Sequence, residues 1–540
     1  MKKNVKILKS MTAVMLAASV LVTGGCGKKY SEDNLDKYPY EQELNIINDN
    51  VRNYYEVFVY SYCDSDGDGI GDFNGVTAKL DYIKDMGFNG IWLMPIMKSP
   101  SYHKYDTTDY CSVDDDYGTM EDFEKLLEEA HKRDIKVIID LMINHTSNIH
   151  PWFSDAYSYV NELEKGKTPD ATECPYVDYY NFVKEEDAGT GYHQVGSTDW
   201  YYEGQFVNTM PDLNLSSDAV RKEIETVTDF WLDKGVDGFR MDGVKYYTGE
   251  RESNIEVLKW FNDYVKSKNN DAYIVTEVWD NYSEASKYLA SGVNSTFNFS
   301  SGQSDGFLVK YARQAGGMLP VGTSLENSML NIEKMTKEAN PNSTSAEFLT
   351  NHDTGRTANM LGREDKVKLA YAMELFMSGN VFVYYGEEIG LAGSGSDPNF
   401  RAPMNWSATD RSQVPDGPKE MDVIENIFPA LDEQQKDPNS INYFIKRCLR
   451  IRNENPEIAR GTSEVIPEVE DEQICAITRT YNDSKIVILY NLSGEEKTVT
   501  VSKDTYGYKD IRGYVAAQGG EVTLKGDTVT MPALSVVVLK

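Results

Sequence analysis

Apolar positions along the chain fall into short unbroken runs separated by longer stretches of helical periodicity. The runs are residues 55–62, 89–96, 136–139, 236–239, 273–276, 346–350 and 380–390, β-branched or aromatic in character, as expected of strands covered on both faces. Between them, residues 76–87, 120–134, 218–235 and 254–269 carry apolar residues at helical spacing, which predicts amphipathic helices. This alternation predicts an α/β fold, a parallel (β/α)8 TIM barrel with its functional loops at the strand C-termini. After Pro456 the period changes to two. Residues 473–481, 485–492 and 528–539 alternate with turn residues between them, the pattern of a C-terminal antiparallel β-sandwich.

Acidic residues stand where four of the barrel runs meet their loops: Asp140–His145 (DLMINH), Gly238–Asp242 (GFRMD), Glu277–Asp280 (EVWD) and Asn351–Asp353 (NHD). Arg240 and Asp242, two apart on a strand, point to one face, so the guanidinium keeps that carboxylate ionised and suits it to act as a nucleophile. Glu277, flanked by Val278 and Trp279, is expected to have a raised pKa and to serve as a general acid. Two carboxyl groups in unlike settings point to glycoside hydrolysis.

These ordered segments resemble the signature of the α-amylase family of glycoside hydrolases. The resemblance spans nearly the whole chain after its first residues and includes Tyr102–Tyr110 (YHKYDTTDY), Met210–Asn214 (MPDLN) and Gly386–Leu391 (GEEIGL). It implies Asp242 as nucleophile, Glu277 as acid/base and Asp353 as the carboxylate that holds sugar hydroxyls and stabilises the transition state. It also implies that Arg240, His145, His352, His103 and Tyr105 surround the reacting sugar, with Lys245 and Arg401 as further substrate-binding residues. The polar, aromatic stretch 146–208 after the third strand resembles the family's small inserted domain. Domains are thus expected at 45–456 for the barrel with its insertion and 457–540 for the sandwich.

A second acidic site follows the first run. In Asp64–Asp72 (DSDGDGIGD), acids at alternate positions with interleaved glycines would let Asp64, Asp66, Asp68, Asp72 and the Ile70 carbonyl converge on a hard cation, Ca2+ by preference. Gly75 stands where an EF-hand carries its bidentate glutamate, which disfavours that motif. Family members similar to oligoglucosidases and amylases hold calcium in such a loop. Asn144 matches a ligand of a different calcium site in many α-amylases, but Tyr246 replaces a ligating histidine there.

The formal net charge of −32 argues against nucleic acid or anionic lipid headgroups as partners and leaves a neutral polysaccharide unopposed. No protein partner is indicated. At the N-terminus, a basic segment (residues 1–9), an apolar segment (11–22) and small residues leading to Cys26 form an export signal over 1–25. It resembles a bacterial lipoprotein signal, which makes Cys26 the lipidated residue, 26–44 a polar tether and the cell surface the destination. Cys63, Cys111, Cys174, Cys448 and Cys475 have no metal spacing, although Cys63 and Cys111 both follow barrel strands.

The expected activity is retaining hydrolysis of internal α-1,4 bonds in starch and maltooligosaccharides. Gly243 after the nucleophile, where oligo-1,6-glucosidases of the family typically carry Val, favours the α-1,4 linkage. The segments MPDLN and Arg401–Trp406 (RAPMNW) keep oligo-1,6-glucosidase and neopullulanase as alternatives, and interception of the covalent intermediate by a sugar would give a transglycosylase. A non-catalytic starch-binding lipoprotein would be expected to lack one of the three carboxylates.

Overall fold

The computed structural model describes residues 40–540; the export signal, Cys26 and most of the tether lie outside the described residues. Eight parallel strands close the barrel: β1 (Asn53–Val57), β2 (Gly90–Leu93), β3 (Lys136–Leu141), β4 (Gly238–Met241), β5 (Tyr273–Thr276), β6 (Ser295–Phe297), β7 (Thr344–Phe348) and β8 (Asn380–Tyr384). Each pairs in parallel with its neighbours and β8 pairs with β1. Tyr54, Trp92, Tyr273, Phe297, Phe348 and Phe382 fill the interior, and the Tyr54 ring stacks on Phe382 at 4.7 Å and on Tyr273 at 5.1 Å. The barrel is therefore a packed core, with room for chemistry only above its C-terminal rim.

Seven strands coincide with the apolar runs, and β6 does not. It is three residues long, Ser-Thr-Phe, and its polar side chains are satisfied inside the wall: Tyr273 donates to Ser295 Oγ at 2.8 Å and Thr296 Oγ1 donates to the Thr276 carbonyl at 3.2 Å. The first run is too long as read. The ladder between β1 and β8 ends at Glu56, and Val59–Tyr62 turn into a short helix instead of extending the strand.

The helices follow the periodic stretches. Met120–Lys132 starts where a capping box ties the Thr119 and Asp122 side chains reciprocally to each other's N–H. Asp218–Lys234 and Arg251–Lys268 flank β4, while the stretch from residue 76 is split into Phe73–Ala78 and Leu80–Met86. The insertion contains a helix, Pro151–Glu162, and a three-stranded antiparallel sheet, Phe182–Lys184, Tyr192–Gln194 and Trp200–Glu203.

Past the barrel, a five-stranded and a three-stranded antiparallel sheet form the sandwich around Ile474, Val487, Leu489, Val529, Met531 and Val537. The expected last strand is divided, because Pro532 ends Thr528–Met531 in one sheet and Leu534, at φ 50°, redirects the chain into Ser535–Leu539 of the other. The end of the expected tether belongs to this folded body. Gln42 donates its N–H to Glu454 Oε1 at 2.9 Å and accepts from Arg450 Nη2 at its carbonyl (2.6 Å) and from Arg512 Nη1 at Oε1 (2.8 Å). Asn45 N–H adds a bond to the Asn453 carbonyl, whose side chain in turn reaches Asn53 at the start of β1. All five cysteines among the described residues are free, Cys63 and Cys111 included. Among the described residues no helix is long and apolar enough to cross a membrane.

Candidate active site and metal loop

Arg240 is the hub of the acidic residues at the rim. Its guanidinium, 1% exposed and 5.2 Å from the centre of the Trp92 ring, rests on the aromatic floor. Nη1 contacts Asp140 at 2.5 Å and Asp242 at 2.6 Å, and Nη2 contacts Glu277 at 3.0 Å. The pairing expected from the two-residue spacing on β4 is thus present, and one cation also ties in acids from the ends of β3 and β5.

The carboxyl groups around it are in unlike electrostatic states. Burial pushes Glu277 up to about 7, against the pull of Arg240 and with help from Asp242 and Asp353. The Gly243 N–H donates to its Oε2 at 2.9 Å. Val278 is buried beside it, but Trp279 turns outward, 44% exposed and stacked on Phe299 at 5.0 Å, so it is not what desolvates the acid as its position in sequence suggested. Asp140, fully buried and accepting from Trp92 Nε1 at 3.0 Å, is raised by burial to about 6 despite Arg240. For Asp353, burial is outweighed by His352 at 3.0 Å and Arg401 at 3.1 Å, which hold the carboxyl well below the usual range.

The histidines divide by charge. Burial opposes protonation of His352, but Asp353 and Glu56, the latter 2.6 Å from Nδ1, raise it to about 10. Its Nε2 also meets the Tyr105 hydroxyl at 2.6 Å, and the two rings stack at 5.5 Å. His145 and His103 are instead lowered by burial and stay neutral. His145 Nε2 donates to the Tyr105 carbonyl at 3.2 Å. His103 Nδ1 accepts from the Tyr105 N–H at 3.1 Å, which leaves its proton on Nε2 as a donor.

These groups open into a cleft of about 720 Å³ lined by His103, Tyr105, His145, Asp242, Asp353 and Arg401, with Phe206 and Val207 of the insertion as its apolar wall. Such a space has the size and the mixed polar and apolar lining of a small-ligand site. Lys245 lies outside the lining and pairs with Asp280 at 2.7 Å. Residues not foreseen as site members are Glu56 under His352, Asp140 under Arg240, and Asp397 and Tyr102 around Arg401. Phe206 is a further one. Gly243 adopts φ +55°, and a Cβ there would lie 2.9 Å from Phe206 Cζ, so the aromatic wall stands where it does because residue 243 has no side chain. Glu56 carried a signal of its own, a glutamate inside an otherwise apolar strand, which has to be paired, and Asp140 stood at the end of an apolar run.

In the acidic loop, carboxylate oxygens of Asp64, Asp66 and Asp72 lie within 4.8 Å of one another. That is about twice a calcium–oxygen distance of ~2.4 Å, so three oxygens fit one coordination sphere. Asp64 and Asp72 are buried and fixed by the backbone, Asp64 by the Gly67 and Gly69 N–H groups and Asp72 by Ser65 and Gly75. Asp68 falls outside this group of three and accepts from the Ile70 N–H at 2.8 Å, because its turn closes back on itself. A side chain at Gly75 is excluded, as its Cβ would lie 2.0 Å from the Cys63 carbonyl oxygen. At the other site matched by resemblance, Asn144 donates to Asp212 at 3.0 Å, and the Tyr246 ring packs against Phe206.

Comparison with known proteins agrees in extent with this architecture. Residues 56–461 match the family described as the α-amylase catalytic domain, and residues 474–538 match the C-terminal domain of α-amylase SusG. α-Amylase 3 of Dictyoglomus thermophilum is 38% identical over 84% of this chain and 86% of its own length. An oligo-1,6-glucosidase of Parageobacillus thermoglucosidasius is 30% identical over 82% and 90%. Among solved structures, Eubacterium rectale Amy13B superposes with a TM-score of 0.87 at 47% identity, covering 92% of this chain and 96% of that one.

Proposed function

The chain belongs to the α-amylase family of glycoside hydrolases, and from that premise we propose that it cleaves internal α-1,4 bonds of starch and maltooligosaccharides with retention of configuration. The observation that carries the mechanism is the single guanidinium shared by two carboxyl groups, Asp242 through Nη1 and Glu277 through Nη2. Asp242, paired at 2.6 Å with Arg240, attacks the anomeric carbon, while Glu277, raised to about 7, still carries the proton that the departing oxygen needs. Asp353, kept ionised by His352 and Arg401, holds sugar hydroxyls and faces the developing positive charge. Water then displaces the sugar from Asp242 as Glu277 takes the proton back.

For linkage, the supporting feature is the wall formed by Phe206 over the bare Gly243. The competing oligo-1,6-glucosidase reading draws on the relatives of that name and on Arg401–Trp406. Product analysis separates them. New reducing ends should be α at early times, starch viscosity should fall while few ends have appeared, and isomaltose should remain nearly untouched. Initial β product would overturn retention, and fast isomaltose hydrolysis with slow loss of viscosity would transfer the assignment to the α-1,6 enzyme.

Calcium would be held in the loop by Asp64, Asp66 and Asp72, with the Ile70 carbonyl as a further oxygen, and would lock the segment after β1. It supplies positive charge to carboxylates that otherwise repel one another. Removing it should lower the melting temperature by several degrees while activity at low temperature changes little. Calorimetry before and after chelation, with elemental analysis, checks this; no calcium and an unchanged melting temperature would dispose of the site. Residues 11–26 support export and lipidation at Cys26, tested by fatty-acid labelling of the wild type against Cys26→Ala.

A further inference from the structure

The loop that brings His103 and Tyr105 to the cleft is pinned by the residue between them, which does not line the cleft itself. Lys104 has φ +64°, in the left-handed region that glycine adopts freely and a lysine only at a cost. Its side chain is buried, with Nζ 2.9 Å from Asp114, 2.7 Å from Asp116 and 5.6 Å from the centre of the Tyr117 ring. Asp114 is itself held, its Oδ1 accepting from the Asp116 N–H at 3.0 Å and its Oδ2 from the Ser99 N–H at 2.9 Å. One ammonium thus ties the cleft loop to the turn Asp115–Tyr117. Across Lys104 the backbone turn is closed by His103, whose Nδ1 accepts from the Tyr105 N–H at 3.1 Å. Tyr105 in turn meets the catalytic cluster: its hydroxyl lies 2.6 Å from His352 Nε2, 3.3 Å from Asp140 and 3.4 Å from Arg240 Nη1, and its carbonyl accepts from His145. An unfavourable backbone conformation persists only where its surroundings enforce it, and here the enforcing group is a buried ion pair outside the cleft.

We propose that Lys104 is a positioning residue for the reacting sugar: its ammonium, clamped by Asp114 and Asp116, holds the left-handed turn that aims Tyr105, and with it His103, into the cleft. The inference rests on the reading of this cleft as the place where the reacting sugar sits against Tyr105. Lys104 makes and breaks no bond in the reaction and acts through the residues on either side of it. Glycine at position 104 would reach the same φ without strain, but nothing would then choose that conformation over others. The anchor therefore fixes one arrangement of the loop, and the fold can do without it, because Asp114 keeps its two N–H donors when the ammonium is gone.

The test measures kcat and KM on maltooligosaccharides for wild type, Lys104→Gly, Tyr105→Ala and the double variant, each normalised to its folded fraction by circular dichroism. In Lys104→Gly, kcat should fall about tenfold with KM within about threefold, since Asp353 and Arg401 still grip the sugar while Tyr105 no longer holds its place beside the reacting groups. A lysine that only supports the fold would lower the melting temperature and leave each folded molecule turning over at the wild-type rate, a result that would overturn the proposal. In the Tyr105→Ala background the same substitution should cost less than about threefold, because the group it positions is gone. A second tenfold loss there would show that Lys104 does not act through Tyr105. Wild-type turnover by Tyr105→Ala would overturn the reading of the cleft together with the proposal, whereas a crippled Tyr105→Ala beside an unaffected Lys104→Gly would overturn the proposal alone. Should Lys104→Gly fail to fold, Asp116→Asn removes one of the two anions at a half-exposed position. Its kcat should then fall about two- to threefold at constant KM, and wild-type kcat would refute the role.

Discussion

Glu277→Gln and Asp242→Asn should each reduce turnover of starch by several orders of magnitude while leaving the circular dichroism spectrum unchanged, because neither side chain supports the aromatic core. The two losses should differ in kind. An α-glucosyl fluoride has a leaving group that needs no proton, so Glu277→Gln should still release fluoride in a burst, whereas Asp242→Asn should release almost none. The alkaline limb of the wild-type profile should fall near the value of about 7 to which burial raises Glu277, since activity is lost as that proton leaves, and the glutamine enzyme should lack the limb. A folded variant that keeps more than about a tenth of wild-type turnover on starch would refute the role assigned to its residue.

Gly243→Val should lower kcat/KM on starch by about a hundredfold. Two causes act together. Valine is strongly disfavoured at φ +55°, and its Cβ would press on Phe206 Cζ at 2.9 Å. Relief of either strain moves the backbone whose N–H donates to Glu277, and so disturbs the acid as well as the cleft wall. The double variant Gly243→Val/Phe206→Ala distinguishes the two. Partial recovery would assign the loss to the aromatic clash, and none would assign it to the backbone. Starch activity of more than about half the wild-type value in Gly243→Val would show that the contact has no part in catalysis.

The barrel could be read in the sequence because most of its strands are apolar runs between helical periods, and the exceptions have physical reasons. Ser295–Phe297 offers two hydroxyl residues and one ring, with Asn294 and Asn298 on either side, and becomes a strand only because Thr276 and Thr344 lie alongside to satisfy it. Residues 58–62 look like strand but lie past the end of the β8 ladder, where no partner edge remains. Asp242 and Glu277 were legible because each directly follows a strand, and their placement around one arginine follows from β4 lying between β3 and β5. What stayed hidden was the outer ring of partners. Glu56 and His352 are 296 residues apart and Arg401 reaches Asp353 from a long irregular segment, so no local spacing links them. Phe206 was obscured for another reason: its place is decided by an atom that Gly243 lacks.

The bonds that hold Gln42 lie at the end of the barrel where the strands begin, whereas the cleft opens at the opposite end. A lipid on Cys26 would therefore tow the molecule by its closed end. With 14 residue steps from that cysteine to Tyr40, at most about 3.5 Å each, Tyr40 can lie no more than ~50 Å from a lipid-bearing Cys26. Attached there, such an anchor would leave the mouth of the cleft clear of the tether.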